Sequence, residues 1–339
     1  MESTIENQTP EYRQLLERMA IDPTPRFRHL ISLIVSPEEA QLLLTMPGQP
    51  AFLSSKLDLP LERTEEMIHD LFVKGLAFPS SKTDPPTWRM ARDFVQFHDA
   101  SILWPQAPQT FLDLWQEIME NEWPEMAQKV SQLLPRPFTR VIPVGVAVPV
   151  SPQILNQENV REIIEKAKTL AVTKCTCRLT AHKCDRPLEV CLQVNKAADY
   201  SLARGTGKAV SKEEAMELLR TSEEAGLIHV TMNKNQIDHF LCNCCPCCCQ
   251  TMPILIKEGI RVIDPSRFQA IVDQSLCTSC GACLERCYFG ALQFNGEEKI
   301  IVDGEKCLGC GLCRVVCPAE AISLTAVRPE NFVPEKLFA

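Results

Sequence analysis

Apolar residues recur at helical spacing through the first part of the chain. In LERTEEMIHDLFVKG (61–75), Ile68, Leu71 and Phe72 fall at i, i+3 and i+4, and Gly75 stands where a helix would stop. SPEEAQLLLTM (36–46) opens on a serine able to cap its first turn and ends before Pro47-Gly48. Shorter helical stretches are read from Glu11 to Ala20, ahead of the breaker IDPTPR, and over AFLSSKL (51–57). LAFPSSKTDPPTWRMA (76–91) loses the period and reads as two extended pieces around a polar turn. TFLDLWQEIMENEWPEMAQKVSQLL (110–134) is helical, with Trp115 and Trp123 as core anchors and an interruption at Pro124. RVIPVGVAVPV (140–150) is extended, and ILNQENVREIIEKAKTLAV (154–172) predicts a helix with Val160, Ile163, Ile164 and Ala167 on one face. SKEEAMELLRTSEEAG (211–226) carries a capping box, Ser211 with Glu214, and LIHVTM (227–232) follows as a strand.

Three helices followed by a two-piece extended wing, over 29–95, resemble a winged-helix domain. The resemblance implies a DNA-binding or docking role, and charge separates the two. The third helix offers Glu62, Glu65, Glu66 and Asp70 against Arg63 and Lys74, with His69 beside them. An acidic face repels a phosphate backbone, which favours a protein-docking or structural module.

Composition sharpens this picture. The chain has 339 residues, enough for two or three domains of roughly 100–200 residues each. Its formal net charge of −8 argues again against nucleic acid. No run of 18 apolar residues exists and the first residues are polar, so neither a membrane span nor a secretory leader is expected. The 18 cysteines all lie beyond residue 174. In a cytoplasmic protein, where thiols stay reduced, such clustering means metal rather than disulfides.

The cysteines begin to sort themselves through an internal repeat. IVDQSLCTSCGACLERC starts at Ile271 and IVDGEKCLGCGLCRVVC at Ile301. Each half carries Cys-x2-Cys-x2-Cys-x3-Cys: Cys277, Cys280, Cys283 and Cys287, then Cys307, Cys310, Cys313 and Cys317. That is the spacing by which thiolates grip a [4Fe–4S] cluster; zinc sites use paired CxxC motifs instead. Residues 266–326 resemble bacterial two-cluster ferredoxins. The resemblance implies that the fourth cysteine of each run crosses over. Cys277, Cys280, Cys283 and Cys317 would then hold one cluster, and Cys307, Cys310, Cys313 and Cys287 the other. The proline that follows the last cysteine in that family is present as Pro318 but replaced by Tyr288 after Cys287.

Ten cysteines remain. Cys175, Cys177, Cys184 and Cys191 lie in CTCRLTAHKCDRPLEVC, and Cys242, Cys244, Cys245, Cys247, Cys248 and Cys249 crowd into CNCCPCCC. The helix–strand unit between them would fold the second group back toward the first. Ten thiols suffice for one or two further clusters, and spacing does not say which belong together. Adjacent cysteines such as Cys244 and Cys245 point different ways and could serve different centres. Arg178 and Lys183 flank the first group; as donors they would raise a cluster's potential, and a solvated arginine is the alternative. His182 and His239 lie near enough in sequence to replace a cysteine, although a lone histidine is more often structural. RGTGK (204–208) lacks the spacing of a phosphate loop and reads as a turn. The CxCR and CNCCxCCC pairing upstream of a dicluster module also resembles a group of iron–sulfur proteins of anaerobic bacteria and archaea, over about 138–325.

The expected architecture is multidomain α+β. It comprises an N-terminal helical segment (1–28), the winged-helix-like domain (29–95), a helical connector and extended segment (96–150), a Cys-rich α/β metal-binding domain (151–265), the dicluster ferredoxin domain (266–326) and a tail (327–339). The expected function is single-electron transfer through two [4Fe–4S] clusters and further centres in the middle domain, as a subunit of an oxidoreductase with a redox partner protein. No dinucleotide fingerprint, other nucleotide site or acid–base set is present. The alternatives are a reductase using an unusual cluster or redox thiols in 242–249, and a redox-sensing winged-helix regulator.

Overall fold

The computed structural model describes residues 10–80, 83–145, 159–235 and 239–335. The chain divides into two compact units, Met1–Trp123 and Pro124–Ala339. Together they mix helices with several sheets, as a multidomain α+β chain does. Among the described residues no helix is long and apolar enough to cross a membrane.

The first unit begins with α1 (Pro10–Arg18), α2 (Pro25–Ser32), α3 (Pro37–Thr45), α4 (Pro50–Leu57) and α5 (Leu61–Lys74). The strands β1 (Ala77–Ser80) and β2 (Thr87–Met90) pair as an antiparallel hairpin, and α6 (Phe94–Ile102) and α7 (Gln109–Asn121) follow. Local chemistry sets the helix ends. Ser36 and Glu39 close a capping box on α3, and Gly75 ends α5 in the left-handed region. The segment IDPTPR does not simply break the chain: Thr24 caps α2, and Pro25 sits in its first turn, where a missing N–H costs nothing. Trp115 is fully buried and packs edge-on to Phe27 and Phe94, while Trp123 stacks on Phe94. The two basic residues of α5 are engaged: Arg63 pairs with Glu38 and Glu66, and Lys74 lies 2.6 Å from Glu39.

After α8 (Trp123–Leu133), the second unit is built on a seven-stranded sheet. Its elements in chain order are β3 (Thr139–Ile142), α9 (Val160–Lys166), β4 (Leu170–Lys174), α10 (Thr176–Ala181), β5 (Glu189–Val194), α11 (Lys196–Ala203), β6 (Gly207–Ala209), α12 (Lys212–Glu224), β7 (Ile228–Met232), β8 (Phe240–Cys244), α13 (Met252–Glu258) and β9 (Ile263–Asp264). The strand order is β6-β4-β5-β8-β7-β3-β9, antiparallel except between β3 and β9.

Two expectations need correction here. The helix read over 154–172 is short: Leu170, Ala171 and Val172 belong to a strand buried between β5 and β6. A short, wholly apolar run has no periodicity that tells a buried strand from a helix. Likewise RGTGK is not only a turn, since Gly207–Ala209 pair with β4 as an edge strand. The extended reading of 146–150 and the helical reading of 154–158 fall outside the described residues.

The sheet buries both faces. Val141 and Ile142 are neighbours in β3, yet Ile142 packs with Ile163, Leu192 and Leu219 under α9 and α12, whereas Val141 joins Ile228, Val230 and the apolar residues of the C-terminal module. Alternation along the strand delivers them to opposite sides. That module, β10 (Phe268–Val272), α14 (Ala282–Arg286), β11 (Leu292–Phe294), β12 (Ile300–Val302), α15 (Leu312–Val315) and β13 (Ile322–Ala326), therefore shares its core with the sheet.

Candidate metal centres

The repeat folds on itself by exchanging strands. The strand that opens the first half, β10, pairs with β13, which closes the second; β11 pairs with β12. This exchange carries the last cysteine of each half to the other half. One cavity is lined by Cys277, Cys280, Cys283 and Cys317, and a second by Cys287, Cys307, Cys310 and Cys313. Each cavity has four cysteines in its wall, three from one half and one from the other, as two copies of one occupant would require. Apart from Thr278 in the first and Arg286 in the second, the lining is otherwise apolar or glycine, and thiols are the donors that an iron–sulfur cluster takes, so the residues present fit that group.

Backbone donors surround these sulfurs. The Ala291 N–H points to Cys287 Sγ at 3.3 Å and the Ala270 N–H to Cys307 Sγ at 3.5 Å. Burial pushes the Cys310 thiol up to about 12, so its ionisation needs a cation to share the charge. Close backbone approach depends on Gly309, which has φ +65° and lies where an added Cβ would meet Phe268 O at 2.1 Å. Gly309→Ala is expected to destabilise the module by more than about 2 kcal/mol, because left-handed strain adds to a clash with backbone. A drop in melting temperature together with loss of cluster absorbance would check this.

The middle-domain cysteines converge because the ends of three strands do. Cys175 leaves β4, Cys191 lies at the start of β5, and Cys242 and Cys244 end β8, all at one end of the sheet. Among the described residues, Cys184, Cys245, Cys247 and Cys248 form a group whose sulfurs all lie within 4.8 Å of one another. The other six meet in a closed ring. Cys175 contacts Cys177 and Cys191, Cys177 contacts Cys249, Cys249 contacts Cys244, and Cys242 joins Cys244 to Cys191. The octet is thus divided: Cys245, Cys247 and Cys248 face one group, and Cys242, Cys244 and Cys249 the other. Neither His182, which ends α10 in the left-handed region, nor His239 belongs to the four-sulfur group.

Cations and a polar network frame both groups. Arg178 is not a solvated charge; it is 2% exposed, and it donates to Asn243 O at 3.2 Å and to Pro187 O. Burial opposes its charge, and the thiols of Cys175, Cys245 and Cys184 favour it strongly enough to prevail. Arg186, which the sequence did not single out, reaches Cys247 Sγ at 3.7 Å. Burial also opposes ionisation of Cys184, but the Arg186 backbone N–H and the thiols of Cys247 and Cys248 bring it down to about 6. Behind Cys242 and Cys244, buried His229 lies between Asn243 Oδ1 (2.6 Å) and Glu223 Oε1 (3.1 Å), and Asn243 donates to Val190 O.

The Pro-to-Tyr departure after Cys287 acquires a role. Tyr288 Oη donates to Gly226 O at 3.1 Å and accepts from Arg186 Nη2 at 3.2 Å. Arg186 Nε donates to Ala225 O, and Arg286 donates to Glu223 O and Glu224 O. Three side chains thereby satisfy the orphan carbonyls at the end of α12 and seat the C-terminal module there.

No curated protein matches this chain. Residues 270–324 match the family model of the 4Fe-4S dicluster domain, so the segment that builds the two matched cavities is an iron–sulfur domain joined to a Cys-rich metal-binding region.

Proposed function

We propose that this chain is an electron-transfer protein that passes single electrons between a redox partner and centres in its own middle domain. The observation that carries the reading is the pair of four-cysteine cavities, each closed by three cysteines of one repeat half and the fourth of the other. Cys277, Cys280, Cys283 and Cys317 hold one [4Fe–4S] cluster; Cys287, Cys307, Cys310 and Cys313 hold the second. Such clusters supply one-electron acceptance and release.

Burial supports a direction in space. Cys280 is exposed and marks the edge where a partner delivers or collects electrons. Leu276 and Phe294, both exposed on this module, offer that partner apolar contact. The second cavity lies inward, where the Val144 N–H bonds Cys310 O and where Tyr288, next to Cys287, meets Arg186. The six-thiol ring, of which Cys242, Cys244 and Cys249 pack against the module's core, is the third station. The winged-helix-like α3–α5 and hairpin serve as a protein-docking element, since both basic side chains of α5 are spent in ion pairs. The chain works as a subunit of an oxidoreductase in a thiol-reducing compartment such as the cytoplasm. Its N-terminal unit does not read nucleic acid.

A second reading, reduction of a disulfide or small substrate at the ring, is favoured by one observation: six thiols meet there in mutual contact, within reach of thiol–disulfide exchange. A potentiometric titration of anaerobically purified protein tests the main reading. At least two one-electron steps per chain are expected in the visible absorbance, and a chain without a reducible chromophore would overturn it.

A further inference from the structure

The four-sulfur group differs in kind from the ferredoxin-type cavities. Cys184 Sγ lies 3.9 Å from Cys245 Sγ and 3.7 Å from Cys248 Sγ, and Cys247 Sγ lies 3.8 Å from Cys248 Sγ. A metal ion bonded to four thiolates at about 2.3 Å in a tetrahedron sets its ligands ~3.8 Å apart along each edge. A cubane places four irons and four sulfides between its thiolates and cannot leave them in van der Waals contact. We propose that Cys184, Cys245, Cys247 and Cys248 hold a single tetrahedral divalent ion, of the zinc and ferrous-iron class, and no iron–sulfur cluster.

The local chain explains the grip. Pro246 turns the backbone directly after β8, so Cys245, Cys247 and Cys248 present three sulfurs from one turn, and Cys184 closes the fourth corner from the loop after α10. Charge fits as well. Four thiols that surrender their protons to one divalent ion leave a site of charge −2. Arg186, against Cys247, and buried Arg178, which lies beside Cys175 of the ring as well as Cys245 and Cys184, offset that charge. Soft thiolate donors in a closed tetrahedron select zinc or iron over the hard cations. Because Arg186 also holds Tyr288 Oη and Ala225 O, the ion fixes the joint between the sheet end and the C-terminal module. Its role is structural, and the inference stands or falls apart from the electron-transfer reading.

The test is zinc, iron and acid-labile sulfide per chain, on full-length protein purified anaerobically, for the wild type and for Cys184→Ser and Cys247→Ser. Each variant is expected to lose one zinc or one iron and no sulfide. Loss of about four irons with four sulfides would make the group a cubane and overturn the proposal, as would no loss of metal. Should the variants fail to fold, wild-type protein freed of labile zinc or iron by a mild chelator, its sulfide content unchanged, is titrated with Co²⁺. Uptake of one equivalent with the absorption of a tetrahedral tetrathiolate supports the site, and its absence overturns it. The potentiometric steps of the ferredoxin module report separately on the proposed function.

Discussion

Cys280→Ala should carry about four irons and four acid-labile sulfides fewer than the wild type and keep its other centres. Cys280 lines the same cavity as Cys277, Cys283 and Cys317, and the other cavity draws on none of these four. It is also exposed, so the substitution opens no hole in the core, and the loss can be read as loss of a ligand. Cys317→Ala should cost the same cluster although it belongs to the second repeat half, because strand exchange between β10 and β13 places it there. Iron and sulfide analysis decides both. Unchanged iron in Cys280→Ala would remove it from the ligand set. Loss of the other cluster in Cys317→Ala, detectable by combining it with Cys280→Ala, would refute the crossing.

Arg178→Met should destabilise the second unit by on the order of 3 kcal/mol and release metal from the middle domain. The arginine is buried and supplies hydrogen bonds to Pro187 O and Asn243 O, and a buried carbonyl left without its donor costs about 1–3 kcal/mol. It also supplies positive charge where several thiolates gather, so removing it makes their ionisation harder. Arg178→Lys keeps the charge but not the planar fork that reaches two carbonyls, and should fall between the two. Anaerobic denaturant titration measures the stability, and metal content of the folded variant measures the second effect. A stability change below about 0.5 kcal/mol, the ordinary range for a surface substitution, would refute the structural role.

Much of the first unit was legible in sequence. Its helices are amphipathic and bounded by residues with strong local preferences, as in Ser36 at the start of α3 and Gly75 at the end of α5, so local chemistry and tertiary structure agree. The capping box at Ser211 was equally legible. The doubled Cys spacing was legible for a different reason: three cysteines at fixed short intervals wrap one cluster within one loop, and no long-range information is needed.

What the sequence determined by itself, then, is local: helix boundaries, the repeat, and the presence of thiols in numbers only metal explains. The tertiary structure decided how the middle domain sorts them. Whether Leu170–Lys174 form a strand depends on the flanking β5 and β6, not on their own period. The division of the ten middle-domain cysteines into four and six follows from which strand ends meet, from the alternation that turns neighbours such as Cys244 and Cys245 to opposite sides, and from the turn at Pro246 that brings Cys247 and Cys248 to Cys245. Arg186 and Tyr288 stand 102 positions apart and gain their meaning only by touching. Sulfur and charge can be counted along a chain, but distances between residues remote in sequence are set by packing, and it is distance that distinguishes a single ion's tetrahedron from a cluster's cradle.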